Sequence, residues 1–190
     1  MSKVTIQGDA SGTGIFTIAS PNSNTDRTLT LPDEAGTMLT TAGVPASAMP
    51  AGSVIQVVNF TTASEVETTS GSLIDTGLQA SITPSSSTNK ILVIVTASIY
   101  TSEIGTDSGV KLGLLRNGSS IINTYFLNYG LWNNVEQRAR GGCSVTKLDS
   151  PASTSSVTYK LQIASSAGGR RVGINHDAST STITLMEIAA

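Results

Sequence analysis

The only imidazole in the chain is His176, in the stretch Gly173-Ile174-Asn175-His176-Asp177. There is one cysteine, Cys143, so a histidine-based zinc site or a Ser–His–Asp triad would depend on that single ring. Small polar residues follow it, and the simplest reading is an exposed loop histidine, with a ligand or receptor contact as the alternative. Glu65 and Glu67 stand two apart, so an extended backbone points both carboxylates to one side. Glu103 and Asp107 flank a glycine-containing turn. Carboxylates about 5–10 Å apart could carry out glycoside hydrolysis, but each pair is more simply read as charge in a solvated loop. No stretch has the spacing of an EF-hand. Gly12-Thr13-Gly14 lacks the third glycine and the strand-to-helix setting of a phosphate loop. These residues predict no catalytic site, no cofactor and no metal.

Two basic clusters remain. Arg138 and Arg140 alternate within an expected strand and so project from one face, either solvated or paired with acids of a neighbouring subunit. Arg170 and Arg171 follow Gly168-Gly169 at an expected loop tip, where they are solvated or contact a polysaccharide or another protein. Of the eight aromatics (three Phe, one Trp, four Tyr), half fall between residues 125 and 134. Tyr125, Tyr129 and Trp132 beside Asn133 suit a core or subunit interface, and also suit stacking on a sugar ring. The candidate glycan or interface contacts are therefore Tyr125, Tyr129, Trp132, Asn133, Arg170 and Arg171. Cys143, after Gly141-Gly142, reads as a small buried thiol.

The elements that must hold these residues are strands. Apolar and polar residues alternate with period two nearly throughout, and β-branched types fill the apolar runs. Strands are predicted at 54–60, 72–75, 78–82, 90–100, 110–116, 119–122, 136–148, 156–164 and 180–188. The run 90–100 is apolar on both faces, which predicts a central strand covered on both sides. Asn117-Gly118 suits a two-residue type I′ hairpin turn, which needs positive φ at both positions. Before these lie three very short strands, at 4–6, 14–18 and 27–31. They carry too little apolar area to offset their ordering entropy, so they must pair with identical copies or with a host structure. The expected organisation is an attachment segment at 1–43, a Pro-containing linker at 44–52 and a head domain at 53–190. The fold class is all-β, a short N-terminal β segment followed by a jelly-roll β-sandwich that trimerises.

The chain has 190 residues, 38% hydrophobic and only 13% charged. That charged fraction is about half the usual value for soluble domains. So little charge suits a protein that hides much of its surface in an assembly. A net charge of −2 leaves no cationic excess for phosphates, which argues against nucleic acid as a partner. No run approaches the roughly 18 apolar residues of a membrane helix, so no membrane insertion is expected. Residues 1–7 lack the apolar core of a secretory signal, so the chain is expected to begin in a cytosol.

Two stretches carry a family resemblance. Gly12-Thr13-Gly14-Ile15-Phe16-Thr17-Ile18, continuing to Arg27-Thr28-Leu29-Thr30-Leu31-Pro32-Asp33-Glu34-Ala35-Gly36-Thr37, resembles a module near the start of tail-fibre and other virion structural proteins of tailed phages, marine ones especially. The second runs from Ser53 to the end and is similar to the distal domains of the same proteins. Its Gly113-Leu114-Leu115-Arg116-Asn117-Gly118 and Thr182-Ile183-Thr184-Leu185-Met186-Glu187-Ile188 also resemble trimeric jelly rolls of the C1q and tumour-necrosis-factor type. The resemblance implies a non-enzymatic virion protein (fibre, spike or capsid decoration) assembled in the host cytoplasm. It implies other capsid or tail proteins as partners, and a homotrimeric head. The alternative is a receptor-binding module for a host surface glycan. The missing histidine partners and the lack of a compelling carboxylate pair argue against a third reading, a depolymerase.

Overall fold

A computed structural model describes residues 11–15, 17, 22, 24–26, 28, 44, 45, 48–104, 108–128, 136–166 and 169–190. The chain divides into two units, Met1–Met38 and Leu39–Ala190. The short strand expected at 4–6 lies outside the described residues; of those at 14–18 and 27–31, Gly14, Ile15, Thr17 and Thr28 are described, and none of these four is in a strand.

The second unit is all-β. Its strands are β1 (Val54–Thr62), β2 (Val66–Thr68), β3 (Ile74–Ile82), β4 (Lys90–Ile104), β5 (Ser108–Arg116), β6 (Ser119–Asn128), β7 (Glu136–Asp149), β8 (Val157–Ser165), β9 (Arg171–Ile174) and β10 (Ser181–Ile188). One antiparallel sheet, called A below, runs β1-β10-β4-β9-β2 with β7 on the other edge of β4. The second, sheet B, runs β3-β8-β5-β6. With the short β2 and β9 set aside, eight strands remain. They pair first–eighth–third–sixth and second–seventh–fourth–fifth, the strand order of a jelly roll.

Alternation builds the core. Ile91, Val93, Val95 and Ala97 of β4, with Ile183 and Leu185 of β10 and Cys143 and Val145 of β7, face Leu78 and Ala80 of β3, Leu112 and Leu114 of β5, and Tyr159, Leu161 and Ile163 of β8. All belong to one contiguous buried cluster. Cys143 is buried there, and that burial raises its thiol pKa to about 11. The hairpin turn forms as expected, with Asn117 at φ 47° and Gly118 at φ 85°. Asn117 also bonds β8: its backbone N–H donates to the Thr158 carbonyl at 2.9 Å, and its Oδ1 accepts from the Thr158 N–H at 2.9 Å.

Three expectations need correction. The segments 72–75 and 78–82 are one strand, β3. The register slips between Asp75 and Gln79, where Gly77 takes φ 76°, and Thr76 Oγ1 donates to the Leu161 carbonyl at 2.7 Å, so the strand stays on β8 across the bulge. The short strands β2 and β9 were not foreseen. And β4, though central, is not covered on both sides: Leu92 and Ile94 on its outer face are only half-buried. A continuous apolar run looks the same whether its second face meets protein in the same chain or in another one.

At the end of β10, Glu187 is fully buried on the inner side of the sheet. Its carboxylate accepts from Gln56 Nε2 at 2.5 Å, from the Ser85 N–H and hydroxyl at 2.7 Å each, and from Asn89 Nδ2 at 2.6 Å. Burial alone would raise its pKa, but the bonds from Asn89, Gln56 and Ser85 outweigh it and hold the carboxyl below its ordinary 4.5. A lowered native pKa means the stabilisation is complete above the unfolded-state value and is lost as pH falls through the native one. Glu187→Gln replaces one accepting oxygen by an amide NH2 that faces donors, and should cost about 2 kcal/mol at neutral pH. Its urea midpoint should then fall less than that of the wild type between about pH 5 and pH 3.

Candidate functional site

Sheet A is interrupted twice at one level. Along one edge of β4, β9 pairs with Ile99–Ser102 and β10 with Lys90–Thr96, so Ala97 and Ser98 stand opposite the whole of 175–180. One strand further out, β1 ends at Thr62 beside Ser181, and β2 begins at Val66 beside Ile174. The links 63–65 and 175–180 therefore leave the sheet side by side. Such breaks re-aim side chains out of the pleat.

Asn175 clips the two links together. It is fully buried; its Nδ2 donates to the carbonyls of Thr62 (3.2 Å) and Ser64 (3.0 Å), and its Oδ1 accepts from the Ser181 hydroxyl at 2.5 Å. Its own backbone is left-handed, at φ 60°, as are Asp177 at 54° and Ala178 at 57°. Left-handed backbone at three non-glycine positions is costly and persists only where the surroundings impose it. Here it turns His176 back over the sheet.

His176 Nδ1 lies 2.5 Å from Glu65 Oε1, and its ring packs on Tyr100 with centroids 4.7 Å apart. Its Nε2 lies 3.5 Å from Asp177 Oδ1. The bond to His176 is the main reason the Glu65 carboxyl sits below its usual range. Below the rings runs a cross-strand row on the outer face: Glu67, Gly173, Tyr100 and Arg140, from β2, β9, β4 and β7. The Tyr100 hydroxyl donates to Glu67, and burial together with that carboxylate pushes the phenol pKa upward. Arg140 pairs with Asp177. The ligand-type atoms of Glu65, Glu67 and His176 all lie within 4.8 Å of one another.

Gly173 makes the row possible. A Cβ there would meet Tyr100 Cε1 at 2.5 Å and the Val66 carbonyl oxygen at 2.6 Å. The oxygen is backbone and cannot swing aside. Gly173→Ala should therefore cost about 1–3 kcal/mol, read as a lowered urea midpoint, and should release the Tyr100 ring from Glu67.

The sequence-derived candidates are scattered. Tyr125 is on β6, 55% exposed, with Lys111 of the neighbouring β5 at 5.7 Å from its ring centre. Arg170 is half-buried. Arg171 is exposed, and it opens strand β9 opposite Ser102 instead of sitting at a loop tip. Tyr129, Trp132, Asn133 and Asp107 lie outside the described residues, as do the side chains of Glu103 and Arg138. Arg140 has an acidic partner in its own chain, Asp177. His176 is half-buried and engaged, not a free loop histidine. Sequence reasoning had Glu65–Glu67 and His176 in hand separately. It lacked the pairing of β2 with β9 that joins them.

The other half of the outer face of sheet A has a different character. Val57, Met186, Leu92 and Leu148, from β1, β10, β4 and β7, form one cross-strand row about 14 Å long. Val57 is 55% and Leu148 50% exposed. Toward the strand breaks the rows become polar: Asn59, Thr184, Ile94 and Thr146, then Thr61, Thr182, Thr96 and Ser144. The outer face of sheet B differs on β3 and β8, where polar side chains pair across the strands. There Asp75 accepts from Lys160 at 2.9 Å and Gln162 at 2.6 Å, and Ser81 bonds Thr158 at 2.7 Å. A hollow of about 310 Å³ by the C-terminus is lined by Met49, Ser85, Thr88, Asn89, Ala189 and Ala190 among others, none of them an acid or base.

The fold and site define a β-sandwich with jelly-roll strand order and an unevenly apolar outer sheet. No family model matches the chain, and no curated protein matches it. Among solved structures it is similar to dimeric latent PorU from Porphyromonas gingivalis, at 12% identity over 74% of this chain and 14% of that one, with a TM-score of 0.32. It is also similar to the VP2 subviral particle of infectious bursal disease virus, at 14% identity over 73% of this chain and 38% of that one, with a TM-score of 0.32. The Gx strain of the same virus gives 16% identity, coverage of 71% and 37%, and a TM-score of 0.33. The chain thus spans well under half the length of these structures. At such TM-scores the likenesses carry no argument about its role. Among the described residues no helix is long and apolar enough to cross a membrane.

Proposed function

We propose that the chain is a non-enzymatic structural protein of a bacteriophage particle (a fibre, spike or capsid decoration) that docks through residues 1–43 and projects residues 53–190 as a trimeric head. The observation that carries this reading is the row Val57–Met186–Leu92–Leu148. Half-exposed apolar side chains cross four strands of one sheet, while β3 and β8 of the opposite sheet carry paired polar side chains on their outer face. Two further copies packed about a threefold axis would cover that row and shield the edges of sheet A. The low charge of the chain and the resemblance of residues 12–37 to phage attachment modules support the same reading. The partners would be other capsid or tail proteins, and the location the virion. Mass measurement of the full chain at micromolar concentration tests it: three chains per particle is the expected result, and a monomer removes the trimeric head.

A second reading, a receptor-binding module for host surface glycan, is favoured by Tyr125. An exposed ring beside Lys111 is a stacking surface for sugar. Binding on a glycan array that Tyr125→Ala abolishes is its expected signature; an array without binding leaves the structural role alone.

A further inference from the structure

We infer that Glu65, Glu67 and His176 form a binding site for a divalent cation of the zinc class. The donors are of mixed chemistry, one imidazole nitrogen and two carboxylate oxygens, and they converge within 4.8 Å from the two links and strand β2. One nitrogen with hard oxygens suits Zn²⁺ better than Ca²⁺, which prefers six to eight oxygens. Three protein ligands also leave positions for water.

The surroundings hold each donor. Asn175, fully buried, bonds the carbonyls of Thr62 and Ser64, and so keeps the Glu65 link against the His176 turn. The Tyr100 hydroxyl orients Glu67, and its ring sets the plane of the imidazole. Asp177 lies 3.5 Å from the other ring nitrogen, in the relation a carboxylate commonly has to a metal-bound histidine. Gly173 leaves room for the tyrosine to cross β9. Charge points the same way. Glu65, Glu67 and Asp177 bring three carboxylates to one spot, where Arg140 is the cation paired with Asp177. A bound Zn²⁺ takes the place of the proton between His176 Nδ1 and Glu65 Oε1, and that proton leaves to water. The ion would fasten the two links at the point where both strands of the sheet are broken.

The test is calorimetric titration of the untagged, chelator-stripped full chain with ZnCl₂, and separately with CaCl₂, at one fixed pH. The expected result is one zinc per chain, bound more tightly than calcium. His176→Ala and Glu67→Gln should each weaken zinc by at least about tenfold. Asp75→Asn, a remote carboxylate on sheet B, should leave it unchanged. Glu67 is exposed, so its variant remains folded (checked by circular dichroism) even should His176→Ala unfold. No zinc binding by the wild type overturns the site. So does zinc affinity that Glu67→Gln leaves intact, or calcium bound as tightly as zinc.

Discussion

Replacing Val57 and Leu148 together by lysine is expected to leave the sandwich folded and to convert three associated chains into single ones. The two residues cap the ends of the apolar row, on the outermost strands β1 and β7, and each is about half exposed in the isolated chain. In the single chain their side chains can therefore keep the new ammonium groups in water. In the proposed trimer the same groups would lie where apolar faces meet, and each would lose hydration worth several kcal/mol. Even partial relief of that cost weakens association on the order of a thousandfold. Sedimentation equilibrium of wild type and variant reads the mass, and circular dichroism confirms the retained fold. Gln162→Lys, on the polar outer face of sheet B, should change neither. Wild-type chains that sediment as monomers would sink the interface before the variant is made.

The second large effect is on stability. Asp149, buried at the end of β7, accepts from Arg116 Nη1 at 2.9 and 3.1 Å and from the Tyr159 hydroxyl at 2.7 Å. Tyr159 is itself fully buried. Burial, and then the Asp149 carboxylate, push its phenol pKa upward, so the hydroxyl stays a donor. Asp149→Ala leaves that hydroxyl without its acceptor and strips Arg116 of its charged partner. Arg116 is partly exposed and water relieves some of its loss. The net cost is about 3 kcal/mol, or roughly 10 °C in melting temperature. Tyr159→Phe, which keeps the ring in the core and removes only the donor, should cost about 1 kcal/mol. The double variant should lose less than the sum of the two single losses, because both remove the same bond.

The strands were legible because alternation along a half-buried strand is written residue by residue. The runs 54–60, 90–100, 136–148 and 180–188 needed no knowledge of their neighbours to be recognised. The Asn117-Gly118 turn was equally local, since positive φ at two successive positions is a demand on those residues alone. The short strands β2 and β9 were not legible: three or four residues carry no period, and they are held only by each other and by β4.

The composition of this chain, its alternation and its turn dipeptides by themselves determined an all-β sandwich with few charges and no strongly basic surface. Only the tertiary structure decided that two strands break at the same level, and so brought Glu65 and Glu67 to His176 across more than a hundred residues of chain. Only it decided, too, that Leu92 and Leu148 share one outward row while Ile91 and Val93 share the core. The physical reason is the same in both cases. Periodicity tells which side chains of a strand lie together, but which strand comes alongside, and what covers the far face, depends on pairings between distant segments that no local pattern encodes.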